Sequence, residues 1–300
     1  MLNRTLTGDA TWWLSVRIAA WHIWKNGRES MNTAILNVIT EALAKIKTGR
    51  RTMTMDEVRS RATEYLDDMI SKRAESTSAG PITYIELRVL ESRPLFEGVS
   101  LASTIVRFAQ SQAKAEISAG RSPAKKIKVV LFTEASTAFA ASNVDVVLLG
   151  ADRIACSGAV SNKTGSLQTA LCAKALSLNG GRHKMQVIVV SETEKIAPPS
   201  DSSEHVVENN EAGLVSCDWH SNLHSERLRD AAAVLDQATT DETMTATLNI
   251  EVKIENVFFE WVGPDLIDAY ITEKGTWTTE DIKQYSKDLG QKKKEVFADI

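Results

Sequence analysis

Three polar residues, Asp152, Asn162 and Lys163, follow a short apolar run and have the side chains that a binding or catalytic site requires. They lie in the stretch GADRIACSGAVSNKTGS, where Gly150 frees the backbone just after the run VDVVLLG. A carboxylate such as that of Asp152 can act as a general acid or base, or can hold sugar hydroxyls. Lys163 and the amides at the start of a following helix could receive a phosphate. This stretch is therefore the first candidate site.

Each candidate also has a purely structural interpretation. Asp152 could cap a turn, because an aspartate after a strand often bonds to the backbone that follows it. Lys163, at a helix start, could simply be solvated. Arg93, in the second polar stretch ESRP, could be a surface arginine with an ion-pair partner. The residue types alone leave both interpretations open.

The elements that must position these residues are four short runs rich in β-branched residues, which predict a buried parallel sheet. The runs are ITYIELRVL, KIKVVLF, VDVVLLG and MQVIVVS. Helices are predicted over Ser100–Ala119, over part of TEASTAFAAS and over Leu167–Leu178, and this alternation is typical of βαβ units. Ligands bind beyond the carboxyl ends of such strands. The loops that follow the first three runs should therefore meet in one site.

The two ends of the chain differ from this central part. Residues 1–75 show apolar positions at helical spacing and predict a helical N-terminal domain. The stretch RAESTSAGP is rich in small and polar residues and predicts a linker. Residues 82–300 then form the α/β domain, with an irregular, polar part at 201–250 that contains one helix near Arg227–Gln237. The run at 257–259 is followed by GPDLIDAYI, which predicts another helix.

Composition excludes several classes of protein. The chain has 300 residues, 43% hydrophobic and 25% charged, with a net charge of −4, so no global excess of positive charge favours nucleic acid or an anionic membrane. The apolar N-terminal stretch contains Asp9 and Arg17, which argues against a signal peptide or a membrane anchor. Three scattered cysteines fit a reducing, cytoplasmic compartment.

Sequence signals for cofactors are missing. The chain contains neither G-x-x-x-x-G-K-[ST] nor G-x-G-x-x-G after a strand, which argues against a P-loop NTPase or a dinucleotide enzyme. His220 and His224 are four residues apart, but their surroundings, WHSNLHSER, predict an exposed loop rather than a metal site. We therefore expect no cofactor and no metal.

Three motifs in order resemble a known family. They are LESRPLFEGVSLA, VDVVLLGADRIACSGAVSNKTGSLQTALCAKA and ENVFFEWVGPDLIDAYITEKG, with a looser likeness in TGDATWWL and GRESMNTAIL. They resemble the family that unites the alpha, beta and delta subunits of eukaryotic translation initiation factor 2B with the isomerases of methylthioribose-1-phosphate and ribose-1,5-bisphosphate. The fold implied is a helical N-terminal domain on a Rossmann-like α/β domain, of the ribose-5-phosphate isomerase/CoA-transferase type, that dimerises through the latter.

The resemblance also implies roles for individual residues. Asp152 matches the catalytic aspartate of the family, and Asn162 with Lys163 match its substrate-contacting pair. Arg28 and Arg93 match arginines that bind phosphate or line the cleft, and Glu97 stands where the isomerases often have glutamine. The isomerases carry a cysteine upstream of the Ser-Arg-Pro motif, whereas here no cysteine precedes Cys156.

Two functions follow from this resemblance. The first is an initiation factor 2B-related subunit that keeps a pocket for a phosphorylated sugar or nucleotide and acts in translation regulation, paired with a second copy or with related subunits. The second is an aldose-ketose isomerase of a phosphorylated ribose, in which Asp152 handles the hydroxyl proton. No direct nucleic-acid partner and no membrane are expected for either.

Overall fold

The structure is a computed structural model that describes residues 64, 84–93, 96–121, 126–178, 185–199, 209–210, 226–240 and 256–297. The predicted helical domain over residues 1–75, with Arg28, therefore lies outside the described residues, except for Glu64, which is helical. His220 and His224 lie outside them as well. The domain boundaries stay predictions.

The described elements alternate between strands and helices from β1 to β3, and further strands and helices follow. In order they are β1 (Tyr84–Leu90), α1 (Glu97–Ser118), β2 (Lys126–Phe132), α2 (Thr137–Ala140), β3 (Val146–Leu149), β4 (Arg153–Ile154), β5 (Val160–Lys163), α3 (Ser166–Leu178), β6 (Gln186–Val190), β7 (Asn209–Asn210), α4 (Glu226–Thr240), β8 (Asn256–Val257), β9 (Phe259–Val262), β10 (Ala269–Thr272), β11 (Gly275–Trp277) and α5 (Thr279–Phe297). The sequence prediction of a mixed α/β domain with parallel strands is confirmed.

β1 and β2 pair in parallel, from Tyr84 opposite Lys126 to Leu90 opposite Phe132, with α1 as the crossover. The predicted helix over Ser100–Ala119 is found, but it begins three residues earlier, at Glu97. Ala119 is its C-cap, and Gly120 follows with a φ of 72°, a conformation that glycine adopts without steric cost. The glycine therefore ends the helix where the sequence predicts.

A second sheet has the strand order β11-β10-β6-β3, and only β11 runs antiparallel to its neighbour. Its central strands are rich in β-branched residues and buried on both faces, as parallel strands covered by helices must be. The fully buried side chains of the domain include Ile154, Val187, Val189, Ile271 and Ile282. The core therefore lies under β3, β6 and β10.

A small antiparallel sheet lies beside this core and carries two of the candidate residues. β5 pairs with β4 on one side and with β9 on the other. Asn162 and Lys163 belong to β5, opposite Glu260 and Phe259. They therefore lie on a strand, whereas the sequence predicted a loop that leads into a helix.

The predicted helix over GPDLIDAYI is wrong. A single 3₁₀ turn over Pro264–Leu266 follows Gly263, and the chain then enters β10. Tyr270, Ile271 and Thr272 are β-favouring residues, and they are buried between β6 and β11. Pro264 therefore starts only one helical turn, and burial in the sheet then favours a strand over the predicted helix.

Helix α5 is an element that the sequence prediction missed. Its start carries a capping box, in which the amide and hydroxyl of Thr278 each donate a 2.7 Å hydrogen bond to Asp281 Oδ2, while the Asp281 amide donates to Thr278 Oγ1. These hydrogen bonds hold the pKa of Asp281 below its usual range. The T-x-x-D signal could have identified the helix.

None of the helices in the described part of the chain is long and apolar enough to cross a membrane.

Gly98 allows α1 to start directly against the end of β1. A Cβ atom at Gly98 would lie 1.7 Å from the carbonyl oxygen of Leu90. Gly98→Ala should therefore destabilise the protein by about 3 kcal/mol, the upper range for overpacking, as measured by urea unfolding. Gly120→Ala is the matched control, since no atom lies within 4 Å of its Cβ position and only backbone strain of about 1 kcal/mol is expected. Equal losses in the two variants would contradict this account.

Candidate functional site

The loops after β1 and β2 are joined at the carboxyl end of their strands. The amide of Glu91 donates to the carbonyl of Phe132 at 2.8 Å, and the amide of Ser92 donates to Glu134 Oε1 at 2.6 Å. Ser92 adopts a φ of 61° and Phe96 a φ of 54°. Residues other than glycine seldom adopt this region, and it is often found at functional sites. The loop between β1 and α1 is thus held in a strained conformation next to the loop after β2.

Asp152 lies after β3, half-buried, with its amide donating a 2.9 Å hydrogen bond to the carbonyl of Ser161. Burial raises the pKa of the Asp152 carboxyl, and the nearby charge of Glu97 raises it further, while the ammonium groups of Lys163 and Lys195 oppose this. The charge of Asp152 is therefore influenced by three other charged side chains, two of which, Lys163 and Glu97, also form an ion pair. A carboxylate in such surroundings can exchange a proton more readily near neutral pH than an exposed aspartate.

Lys163 is held between a carboxylate and two aromatic rings. Its Nζ lies 3.6 Å from Glu97 Oε1, 4.5 Å from the ring centroid of Phe259 and 5.9 Å from that of Phe258. Ammonium–ring contacts of this kind are attractive. The side chain is still 29% exposed, so the ammonium group can also meet a ligand.

Asn162 is fixed by a neighbouring residue of α3. Its Nδ2 donates a 2.8 Å hydrogen bond to Ser166 Oγ. Its Oδ1 lies 3.7 Å from the position that a Cβ atom of Gly150 would take. The Asn162 side chain therefore reaches from Ser166, at the start of α3, to Gly150, which follows β3 and lies two residues before Asp152.

Arg93 lies on the exposed side of the loop after β1. Its Nε contacts Glu91 Oε1 at 2.7 Å, its guanidinium carbon lies 5.0 Å from the centroid of the Phe96 ring, and the side chain is 55% exposed. These contacts are within its own loop, so they do not bring Arg93 to Lys163. Its role in ligand binding stays a prediction, as does that of Arg28.

The start of α3 already holds an anion supplied by the chain itself. Glu260 Oε1 accepts hydrogen bonds from the amides of Gly165 at 2.6 Å and Leu167 at 2.7 Å. Carboxylates are stabilised at helix N-termini for the same reason that phosphates are. The prediction that the amides at the start of this helix bind a ligand phosphate is therefore wrong for Gly165 and Leu167, because both already donate to Glu260.

The Glu260 contact should contribute strongly to stability. Glu260→Ala leaves the amides of Gly165 and Leu167 without their acceptor and should lower the free energy of unfolding by about 2 kcal/mol. Glu260→Gln should lose less, because the amide oxygen can still accept both hydrogen bonds. Urea unfolding measures both, with Glu280→Ala on the exposed start of α5 as the control. A loss for Glu260→Ala no larger than that of the control would contradict the capping role.

Lys195 is near enough to Asp152 to oppose the rise of its pKa, although the sequence patterns did not select it. It follows β6, in a 3₁₀ turn over Thr193–Lys195. Ile196 forms a parallel bridge with Ile154, and the amide of Ala197 donates to the carbonyl of Ile154 at 2.7 Å. These bonds hold the Lys195 loop beside Asp152. The signal that could have identified it is the polar run SETEK directly after a predicted strand.

Buried polar contacts fix the Lys195 loop from the other side. The carboxylate of Glu273, which follows β10 and is 7% exposed, accepts hydrogen bonds from the amide of Thr193 at 2.9 Å and from its hydroxyl. Burial raises the pKa of the neighbouring Glu194 carboxyl, as does the adjacent Glu192. The site is therefore rich in carboxylates, and its ammonium groups come from Lys163 and Lys195. Among the described residues, no group of three or more His, Cys, Asp or Glu could hold a metal ion.

Comparison with known proteins assigns this fold to a family. The sequence model of the initiation factor 2 subunit family matches residues 116–279, more than half of the chain. The chain belongs to this family. The matched range includes Asp152, Asn162, Lys163 and Lys195, but not Arg93 or Glu97.

Several curated proteins with similar sequences are isomerases. The chain is 26% identical over 185 residues to ribose 1,5-bisphosphate isomerase from Haloferax volcanii, covering 62% of this chain and 48% of the relative. It is 30% identical over 135 residues to methylthioribose-1-phosphate isomerase from Verticillium alfalfae, covering 44% and 31%. The chain thus matches about half or less of the length of these relatives.

Solved structures of an initiation factor 2B subunit and of an isomerase also superpose on part of this structure. The beta subunit of initiation factor 2B from Chaetomium thermophilum overlaps with a TM-score of 0.44 at 14% identity, covering 93% of this chain and 79% of that one. The 5-methylthioribose 1-phosphate isomerase from Pyrococcus horikoshii overlaps with a TM-score of 0.39 at 15% identity, covering 92% and 87%.

Proposed function

We propose that this member of the initiation factor 2 subunit family binds a phosphorylated sugar or nucleotide at the carboxyl edge of its parallel strands. The observation that carries the proposal is the 3.6 Å contact between Lys163 and Glu97, together with the influence of Lys163, Lys195 and Glu97 on the pKa of Asp152. These residues come from four separate segments of the chain. The two ammonium groups would bind the phosphate. The carboxylates would accept hydrogen bonds from sugar hydroxyls.

The charge of the site supports a hydroxylated ligand over a bare anion. Asp152 and Glu97 are both close to Lys163, so the net charge of this group of residues is not positive. A free phosphate dianion would gain from the lysines but would be repelled by the carboxylates. A phosphate ester that carries hydroxyls can satisfy both kinds of group at once.

Thermal unfolding with a panel of ligands tests the proposal. Ribose 5-phosphate, ribose 1,5-bisphosphate and adenosine monophosphate should each be compared with ribose and with sodium sulfate. A ligand at about 100 times its Kd should stabilise the protein by about 2.7 kcal/mol. Stabilisation by a phosphorylated sugar or nucleotide, but not by ribose, is expected. No stabilisation by any of the phosphorylated compounds would contradict the proposal.

We further propose that the protein acts in translation regulation through association with a second copy or with related subunits. Large apolar side chains on the α/β domain support association, since Phe108 is 63% and Phe139 is 76% exposed. Phe108 also shares a face of α1 with Leu101, seven residues earlier and 54% exposed, and contiguous exposed apolar surface is typical of interaction sites. Light scattering should give about twice the chain mass of 32.9 kDa, and a monomer without partner subunits would contradict the self-association.

The second candidate is an aldose-ketose isomerase of a phosphorylated ribose. It is favoured by the half-buried Asp152, whose raised pKa suits proton transfer, and by the isomerase relatives. In this reaction Asp152 would move the proton of a substrate hydroxyl while hydrogen is transferred between adjacent carbons. Formation of a ketose from ribose 1,5-bisphosphate or methylthioribose-1-phosphate would favour this candidate over a purely binding role.

A further inference from the structure

Glu134, at the carboxyl end of β2, has one carboxylate oxygen with a partner and one without. Oε1 accepts the 2.6 Å hydrogen bond from the Ser92 amide. Oε2 is shielded from solvent, and no residue in the described part of the chain donates a hydrogen bond to it. A buried carboxylate oxygen without a donor is unfavourable, and each such atom in a native structure requires an explanation.

The Glu134 side chain is fixed in place rather than free to reorient. Its backbone carbonyl accepts a 2.6 Å hydrogen bond from Thr137 Oγ1, and Oε1 is held by Ser92, whose φ of 61° aims the amide at it. On its other side, Cγ lies 3.2 Å from the position that a Cβ atom of Gly165 would take. Any larger residue than glycine at the start of α3 would therefore press on this carboxylate.

Glu134 is linked to the candidate site by a closed ring of contacts. Ser92 Oγ donates to Glu97 Oε2 at 3.3 Å, and Glu97 Oε1 lies 3.6 Å from Lys163 Nζ. The chain then leads from Lys163 to Gly165, which packs against Glu134, and Glu134 returns to Ser92. The Glu134 side chain is therefore connected to Lys163 on two sides, through Ser92 and Glu97 and through Gly165.

The chemistry of this oxygen limits what can bind it. An ionised carboxylate only accepts hydrogen bonds, so its partner must be a donor such as a hydroxyl. A phosphate dianion offers no donor and is repelled. The Glu97 contacts are long, so a ligand phosphate that binds Lys163 can displace Glu97 and open the ring to the rest of the ligand.

We propose that Glu134 Oε2 accepts a hydrogen bond from a hydroxyl group of the ligand and makes the site select phosphorylated polyols over phosphate esters that lack hydroxyls. The inference rests on the proposed function, because it assumes that a phosphate ester binds at Lys163. Glu134 is then a specificity-determining residue, supported through Oε1 by the backbone of the loop after β1.

Isothermal titration of two phosphate esters with the full chain tests this inference. Ribose 5-phosphate carries hydroxyls, and n-pentyl phosphate has the same number of carbons without them. The unaltered protein should bind ribose 5-phosphate at least about tenfold more tightly, the difference that a hydrogen bond to a charged acceptor supplies. Glu134→Gln should bind ribose 5-phosphate about tenfold more weakly than the unaltered protein does. Its affinity for pentyl phosphate should be unchanged. Glu280→Gln, the same change on the exposed start of α5, should match the unaltered protein.

The outcomes separate the inference from the proposed function. If the unaltered protein binds neither ester, both fail. If it binds both esters equally well, or if Glu134→Gln keeps the full preference, only the role of Glu134 fails. Glu134→Gln retains an acceptor for the Ser92 amide, so it should fold. Equal binding of the two esters by the unaltered protein would overturn the role of Glu134 whether or not the variant folds.

Discussion

Replacing both Lys163 and Lys195 with methionine is expected to weaken the binding of ribose 5-phosphate about 100-fold. Methionine keeps most of the side-chain length and removes the ammonium group. A hydrogen bond to a charged group contributes about 1.5–3 kcal/mol, so two such losses correspond to a 100-fold change or more. Isothermal titration measures the loss, and each single variant should account for about tenfold.

The control for this pair is Lys287→Met with Lys294→Met. This control also removes two positive charges, but from α5, a helix that contributes no residue to the proposed ligand site. If affinity depends only on the total charge of the protein, the two double variants will lose affinity equally. If the site has the geometry described above, the α5 variant will bind ribose 5-phosphate as the unaltered protein does.

The second large effect is expected for Asp152→Asn. If the protein is an isomerase, this variant should lose about 10²–10⁴-fold in turnover, the contribution of a positioned general acid or base. Asparagine has nearly the same shape but cannot exchange a proton. Ketose formation from ribose 1,5-bisphosphate is the measurement. Turnover that persists in Asp152→Asn would exclude Asp152 as the group that moves the proton.

Asp152→Asn also has a signature in binding that does not depend on turnover. Because burial raises its pKa, Asp152 becomes protonated at a higher pH than an ordinary aspartate. Loss of its negative charge should favour an anion at Lys163, so sulfate affinity should rise as the pH falls through that pKa. Sulfate is a suitable probe because it stays a dianion from about pH 4 to about pH 8, well above its own pKa.

The variant should lack the part of this pH dependence that Asp152 supplies. At high pH, Asp152→Asn should bind sulfate about fivefold more tightly than the unaltered protein, as expected from the removal of a nearby carboxylate. At low pH, where Asp152 is already neutral, the two proteins should bind sulfate equally. An identical pH profile in both would place Asp152 away from the anion.

Much of the fold could be predicted from local sequence patterns. The run KIKVVLF predicted β2 with its observed bounds, and Leu167–Leu178 predicted α3 to within one residue. Both signals are local, since they depend on β-branched runs and on helical spacing between turn residues. β10 was assigned wrongly because its strand state depends on burial between two neighbours, which a short apolar run does not reveal.

The candidate site was only partly predictable for a similar reason. Asp152 and Lys163 were chosen because polar residues at strand ends are typical of ligand sites, and the structure does bring them near Glu97. Lys195 and Glu260 were missed, and Glu134 was noted only as part of the polar stretch that follows the run KIKVVLF. The roles of Glu134 and Glu260 depend on a strained amide at Ser92 and on a helix start in another segment, and neither leaves a mark in the neighbouring sequence. Lys195 did have a local signal, the polar run SETEK directly after a predicted strand.

The central claim is that Asp152, Lys163 and Lys195 form one cradle for a phosphate ester, and a crystal structure with ribose 5-phosphate tests it most directly. The account predicts that the ligand phosphate lies about 3 Å from Lys163 Nζ, a normal charge-assisted hydrogen-bond distance, with its sugar hydroxyls toward Asp152. Ligand bound elsewhere on the molecule, with Lys163 still paired to Glu97, would contradict it.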